Sequence, residues 1–571
     1  MNGQTQQTET RSVDTNRKIP AKIPVLIVGG GPIGLSASIM LSYHGIRSLL
    51  VEQHPGTSIY PKARSINARS MEIFRQLGIE PAIRDIEIHQ GYSFILARSL
   101  AGEELLRIPL KGAMPESVRE WSPTWGCHSS QEVIEPALLM QARRLAQAQI
   151  RFSTQLTSFE QRDEDILAIL VHRPSGRVQK VCAQYVIGAD GAHSTVREAL
   201  GIRMLGKPAL ASMINIHFTA DLSKWVGDRE ISICYVKNPE VVGNLYYYGG
   251  KRWKYQTFYY PERGQRPEDF TPERCLQLIR AAVGVPGLEV ELREIMPWTP
   301  AEQVAERIHQ QHIFLAGDAA HLMSPTGGFG MNSGIQDVHN LAWKLAAVLN
   351  GWAAPALLES YETERLPVAR VLVEQMAHNL DAVPGAPGAN DTDSRSSLAQ
   401  KQAKLGNMFG EHNLVFGTTY YSEEIVPDGT DAVTVANPVT DYVPSARPGS
   451  RAPHFWLERD GERISTLDLF GHEFVVLTGN KGQAWCEAAK SVSGMLGVPL
   501  NAYRVGPNGE LVDSNHAWAT SYGVDEDGVV LVRPDGYVAW RCASMKAEPT
   551  LEIEMALQTA LAIQNIQQQA V

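Results

Sequence analysis

Cysteine is scarce. Cys127, Cys182, Cys234, Cys275, Cys486 and Cys542 are scattered over 571 residues, with no C-x-x-C pair and no ligand spacing. That excludes a disulfide framework and a thiolate metal centre, so no metal is expected, and it suits a reducing cytoplasm. Long apolar runs are missing too, which excludes a helix spanning a bilayer. Residues 1–20 are rich in Gln, Thr and Arg and lack the apolar centre of a signal peptide, so they read as a disordered tail. Positive charge is outnumbered: 52 Lys and Arg against 62 Asp and Glu give a net charge of −10. Nucleic acid and anionic membranes both favour a basic face, so neither is expected as a partner.

What remains is an ordinary globular composition, 44% hydrophobic and 20% charged. A chain of this length makes roughly two to four domains. Its most informative stretch comes first. The apolar run Pro24–Val28 leads into Gly29-Gly30-Gly31-Pro32-Ile33-Gly34, and a second apolar run, Ser48–Val51, ends at Glu52. Strand, glycine turn, helix, strand and acid in that order make a dinucleotide fingerprint. Gly29 makes the tight turn, Gly31 lets a pyrophosphate approach the helix amides, and Gly34 lets the helix pack close to the sheet. Glu52 is spaced to accept from a ribose hydroxyl, with Gln53 beside it.

Two distant segments have the same look. Tyr185–Gly188 is an apolar strand running into Ala189-Asp190-Gly191, and Ser194 is placed to cap a helix from Thr195. A plain strand–turn–helix would read the same way, since Asp-Gly is a favoured turn. Ile313–Leu315 delivers Gly317 and Asp318 at a strand end, where ligands bind in open α/β sheets. Pro325 to Asn332 then holds three glycines within 327–330, letting the backbone approach a flat ligand. Ile335, Val338, Leu341, Leu345 and Val348 continue as a helix to Asn350-Gly351. Its N-terminus would point free amides at whatever lies over the loop.

Between residues 205 and 300, runs around Ile214–Phe218, Ile231–Tyr235, Leu245–Tyr248 and Tyr255–Tyr260 alternate as in a half-buried antiparallel sheet. Val383–Ser396 is Pro/Gly/Ser-rich and reads as a linker. Further on, Phe474–Leu477, a helix near Gln483–Leu496 and two strands about a Pro534-Asp535-Gly536 turn form a separate unit.

The fingerprint with Glu52, the Asp190-Gly191 segment and the Gly317-Asp318 segment together resemble the class A flavoprotein aromatic hydroxylases, the para-hydroxybenzoate hydroxylase group. Tyr361–Pro367 is similar to that family's closing helix signature. The resemblance covers residues 24 to about 370. It implies a mixed α/β fold: a Rossmann-like FAD-binding domain (21–204 and 300–382) interleaved with an antiparallel-sheet substrate domain (205–299, with a piece near 85–125). A connecting segment (383–445) and a thioredoxin-like C-terminal domain (446–571) follow. That last unit is similar to the one in phenol and polyketide hydroxylases. Cys486 stands alone where a redox pair would be needed, so a structural or subunit-contact role, as in a homodimer, is expected of it.

Carried over to this chain, the resemblance gives FAD the residues Gly29, Gly31, Gly34 and Glu52 for its ADP half, with Pro32 and Gln53 as further cofactor-binding candidates. Gln131 and Asp318 would meet the ribityl chain. Pro325, Gly328, Gly330, Met331 and Asn332 would line the isoalloxazine, and Gly317, beside Asp318, is a further cofactor-binding candidate. Asp190 and Arg197 would serve FAD and the incoming NADPH or NADH, for which there is no second glycine fingerprint. Lys62, Arg64 and Arg69 would flank the flavin and its phosphates.

The implied reaction is hydroxylation of an electron-rich phenolic ring with NAD(P)H and O₂, through a flavin C4a-hydroperoxide that must be kept from water. Some phenol hydroxylases have an Asp where this chain has Arg64, so no base is assigned. Arg64, which can stabilise a phenolate, His321, Tyr246 and Tyr259 are the catalytic candidates. Residues of Tyr246–Tyr248 and Tyr255–Tyr260, and Met296-Pro297-Trp298, are candidate substrate walls. The wording around Lys62–Gly78 most resembles hydroxylases of polycyclic aromatic polyketides of the tetracenomycin type. A small phenol or chlorophenol is the alternative substrate. A non-catalytic flavin- or partner-binding protein is the alternative class.

Overall fold

Val, Ile and Leu fill Lys22–Val28, and that run forms a strand buried on both faces. It is central to an eight-stranded sheet in the computed structural model, which describes residues 19–88, 93–109, 116–381, 383 and 410–563. The linker at Val383–Ser396 and the tail at 1–20 therefore fall almost wholly outside the described residues. Strands Ile313–Leu315, Arg177–Gly188, Lys22–Val28, Ser48–Val51 and Ala148–Arg151 lie side by side and parallel. Their C-terminal ends bring Glu52, Asp190 and Gly317 to one edge. The helix Pro32–Tyr43 buries ten residues, three of them serines, because it is enclosed by the sheet and by helices Gln131–Arg144 and Phe329–Leu349.

A second sheet of seven strands runs in the order Glu291–Trp298, Ser212–Thr219, Arg252–Tyr259, Val242–Tyr247, Ile231–Lys237, Ser93–Ala97 and Glu104–Pro109. Two features differ from the expectation of a half-buried antiparallel sheet. Ser93–Ala97 pairs in parallel with Ile231–Lys237, because it comes from the earlier insertion near 85–125. The inner strands are also buried on both faces. One face, with Trp253 and Tyr255, packs with Cys275, Ile279 and Val283 of the helix Pro272–Val283. On the other, Met213 and Phe258 meet Leu380 at the end of the helix Ser360–Leu380.

The C-terminal unit orders its sheet Leu500–Val505, Phe474–Gly479, Val529–Val532, Val538–Cys542, the first pair parallel and the rest antiparallel. With helices Gln483–Leu496 and Pro549–Ala560 the unit runs β-α-β and then β-β-α, an order compatible with the expected thioredoxin-like domain. Cys486 is a free thiol, like the other five cysteines, and burial pushes it up to about 11. Phe329–Leu349 ties the molecule together. Its first turn belongs to the Gly327-Gly328 loop, while Trp343 and Ala347 near its end join the C-terminal core with Phe474 and Trp485.

Candidate functional site

At the glycine turn each glycine has a separate reason. Gly29 adopts φ +109°, and a Cβ there would stand 2.2 Å from the Ala189 carbonyl oxygen. A Cβ on Gly34 would stand 1.9 Å from the Gly29 carbonyl oxygen, so the helix starts pressed against the turn. Gly31 is the opposite case. Nothing lies within 4 Å of its missing Cβ, and it stands at the cap position of the helix, where Pro32 comes first and no side chain caps the amides. An anion fits there. Glu52 accepts from Gly30 N at 2.7 Å with one oxygen and from His54 N at 2.8 Å with the other, which fixes the acid at the strand end. Gln53 is exposed.

Asp190 caps its own turn. It accepts from Ser194 Oγ at 2.5 Å and from Val196 N at 3.2 Å, and Ser194 in turn accepts from Arg197 N at 2.9 Å. Burial raises the Asp190 carboxyl. Arg197 is buried and donates to the carbonyls of Ala192 and Ala319, bridging this segment to the Gly317-Asp318 turn. Gly317 has φ +60° and presses on Ile33, while Asp318 beside it is exposed at its tip. The protein around Asp318 still raises its carboxyl, and Lys62 and His321 pull it back.

Gly327 and Gly328 take φ of +104° and +75° and bend the loop into the helix Phe329–Leu349, which has no side-chain cap and no acid in its first turn. Gly330 and Met331 are half-buried there, and Pro325 is exposed. Asn332 uses its side chain to hold the neighbouring segment. Its Nδ2 donates to Ser65 O and Gly328 O, and its Oδ1 accepts from Asn67 N at 2.9 Å. Gln131 Oε1 accepts from Ala63 N at 3.2 Å, and Gln131 N donates to Ala63 O at 2.8 Å. Lys62-Ala63-Arg64 is thus pinned between Gln131 and the glycine loop, with Lys62 exposed. The open side of Gly31, the uncapped amides at Gly330–Asn332 and the exposed Asp318 suit a flavin dinucleotide.

Arg64 reaches across to the seven-stranded sheet. It donates to Ser232 O at 3.1 Å and to Ser232 Oγ, and its guanidinium lies 5.9 Å and 5.8 Å from the ring centroids of Tyr246 and Tyr248. The sheet face beneath it is graded row by row, because side chains at every second residue share a face. Trp298, Met213 and Phe258 align as an apolar row. Asn215, Gln256 and Asn244 form the next, joined by Gln256 Nε2 to Asn215 Oδ1 at 2.9 Å, Trp298 Nε1 to Asn215 Oδ1 at 2.9 Å and Tyr246 OH to Gln256 Oε1 at 3.1 Å. Glu294, His217, Lys254 and Tyr246 form the third. Burial lowers His217 to about 4 and Lys254 to about 7, each helped by the next cation, Lys254 and Arg64 respectively.

Three expectations need correction. His321 does not reach this face. It is 1% exposed, and its Nε2 is 2.7 Å from Asp337 Oδ2. Asp337 also accepts from Gly317 N and Arg365 Nε, and these partners hold its carboxyl down at about 2. His321 is a packed support beneath the loop. Tyr259 lies on the opposite side of its strand and packs edge-on against Phe270. Arg69 is buried against Glu72 and the Asp535 carbonyl, bonding to the C-terminal unit. Lys254 was missed, although a lysine inside the aromatic run Trp253–Tyr259 was its visible signal.

Residues 22–376 match the family model described as FAD binding domain, and residues 445–562 the one described as aromatic-ring hydroxylase, C-terminal. The chain belongs to the FAD-dependent aromatic-ring hydroxylases. Tetracenomycin A2 monooxygenase-dioxygenase of Streptomyces glaucescens is 37% identical over 95% of this hydroxylase and 97% of that protein. Aklavinone-11 hydroxylase, solved with FAD and aklavinone, superposes at a TM-score of 0.86 with 37% identity, covering 95% of this chain and 100% of that one. The flavin-dependent monooxygenase PieE, solved with FAD and substrate, reaches 0.88 at 32% identity over 95% and 99%. No group of three or more His, Cys, Asp or Glu able to hold a metal occurs among the described residues of the hydroxylase, and no helix among them is long and apolar enough to cross a membrane.

Proposed function

We propose that this hydroxylase adds oxygen to a phenolic, polycyclic aromatic ring of the polyketide kind, with FAD as cofactor, NADPH or NADH as donor and O₂ as co-substrate, in the cytoplasm. Gly29, Gly31, Pro32, Gly34 and Glu52 hold the ADP half of FAD. Gln131 and Asp318 meet its ribityl chain, and the Pro325–Asn332 loop lies against the ring system. When bound, FAD takes electrons from the nicotinamide and activates O₂. The chain's own residues do the rest. The amides at the start of Phe329–Leu349 and the positive pole of that helix stabilise negative charge. Arg64 holds a phenolate oxygen as a charge partner. Gln256, Asn244 and Asn215 orient polar substituents, while Trp298, Phe258 and Met213 pack the ring and exclude water.

One observation carries this reading: a buried sheet face, graded from apolar to ionisable, is turned to Arg64 beside the glycine loop. The test is NADPH oxidation and O₂ uptake by the FAD-loaded protein against small and polycyclic phenols, with hydrogen peroxide and hydroxylated product both quantified. Stimulation by a polycyclic phenol with product exceeding peroxide supports it. A yellow protein that no phenol stimulates overturns it.

A further inference from the structure

The proposed reaction needs a proton acceptor, because an ionised phenol is a far better nucleophile, and neither His321 nor Tyr259 is in position. Lys254 is. It stands in the middle of the ionisable row, between His217 on one neighbouring strand and Tyr246 on the other. Its Nζ is 4.1 Å from the Tyr246 ring centroid and 5.9 Å from that of Tyr248. Arg64 lies over the same two rings. The residue is 7% exposed, and among the described residues no carboxylate forms an ion pair with it.

We propose that Lys254 accepts the phenolic proton of the substrate. Resting on the hydroxylase reading, the inference assigns the base which that reading leaves open. The phenol O–H bond breaks, its proton forms a bond with the lone pair of the neutral Lys254 amine, and the electron pair stays on oxygen. The phenolate so formed faces the new ammonium and Arg64. The ammonium returns its proton to solvent after product leaves.

The surroundings favour this role. An unpaired ammonium in a buried site loses hydration, and Arg64 adds repulsion, so Lys254 is lowered to about 7 and a substantial share is neutral near neutral pH. The other titratable groups around it do not compete. Burial raises Tyr246 to about 12 and pushes Tyr248 up as well, which leaves both protonated. His217 is lowered to about 4, and His128 beside Arg64 likewise, which leaves both neutral. Glu294 lies beyond His217, on the outer strand of the sheet.

The sign of the pH dependence follows. Lys254 acts as a base only when neutral, so turnover falls as pH drops through about 7. The test uses the FAD-loaded full chain, with 2-hydroxyanthraquinone as a phenol whose ionised form has its own absorption band. In the wild type, product formation has an acid limb near pH 7 and the bound phenol ionises near neutrality. In Lys254→Met the ionisation midpoint of the bound phenol rises by about one pH unit, a tenfold change, and product formation at neutral pH falls at least about a hundredfold. Lys254→Arg keeps a long cationic side chain but cannot become neutral, and so guards against a folding artefact; in it the acid limb near pH 7 is lost. Either folded, yellow variant keeping the wild-type pH profile and the wild-type bound-phenol titration overturns the inference. Failure of the wild type to bind or turn over any phenol is a different result, and it overturns the hydroxylase reading together with this one.

Discussion

Gly31 and Gly34 are three residues apart and carry different loads. Gly34 is excluded from growing by the fold itself, since a methyl there would sit 1.9 Å from the Gly29 oxygen. Gly31 is excluded by nothing in the chain, and its φ of −74° suits any residue. Gly34→Ala is therefore expected to destabilise the FAD-free protein by about 1–3 kcal/mol, as overpacking does. Gly31→Ala is expected to leave that stability unchanged and to weaken FAD binding. Thermal melting of the apoprotein and FAD titration separate the two. The positions of these glycines were legible in the sequence. Their partners were not, because Ala189, which fixes Gly29, is brought there only by pairing of strands 160 residues apart. Asp190 shows the same limit. The motif marked the residue, but only the structure shows its carboxylate bonded to Ser194 and Val196 of its own turn.

Strand alternation decides which tyrosines matter. Tyr246 is on the face below Arg64, and Tyr259 is on the face packed with the helix Pro272–Val283. Tyr246→Phe removes the hydroxyl that donates to Gln256 Oε1 and is expected to raise the KM for a phenol or increase the peroxide released per NADPH. Tyr259→Phe is expected to leave steady-state kinetics as they are. Similar changes in both variants would contradict the assigned faces. The strands themselves could be read from their pattern. Their faces could not, because residues 253–256 alternate between aromatic and polar side chains, yet both sets are buried once the helix Pro272–Val283 covers one side and Arg64 and the end of the helix Ser360–Leu380 lie on the other. The face on which Lys254 lies is hidden by the same ambiguity.

Across the whole molecule, a buried charge cluster joins the family signature helix to the C-terminal unit. Glu364, on the helix Ser360–Leu380, accepts from Lys344 Nζ at 2.8 Å and from both terminal nitrogens of Arg533, which also binds Asp535. All four are 2% exposed or less, and these cations hold the Glu364 carboxyl far below its usual range. Removing one charge leaves the others uncompensated. Glu364→Gln is expected to cost about 3–5 kcal/mol, read as a drop in denaturation midpoint.

Acid acts on the fold through histidine as well. His44, stacked edge-on with His472 of the C-terminal unit, is lowered by burial to about 3, and His128, His217 and His454 to about 4. Each is neutral when folded and binds a proton more readily when unfolded. Their contribution is present above the unfolded value near 6.5 and declines as pH falls from there towards 4. The melting temperature is expected to drop over that window, and a flat profile would contradict these burials. The resemblance of the C-terminal run to a thioredoxin-like unit was visible in the sequence. Its docking was not, since Arg69, Glu364 and Trp343 carry no local pattern that marks them as interface residues.

The most direct measurement is a crystal structure of the protein soaked with FAD and the polycyclic phenol that best stimulates NADPH oxidation. The account predicts FAD along Gly31, Asp318 and the Gly330–Asn332 amides, with the phenolic oxygen between Arg64 and Lys254 and the ring system against Gln256 and Trp298. A substrate bound on any other face of the seven-stranded sheet, or with its hydroxyl away from Arg64 and Lys254, would contradict it.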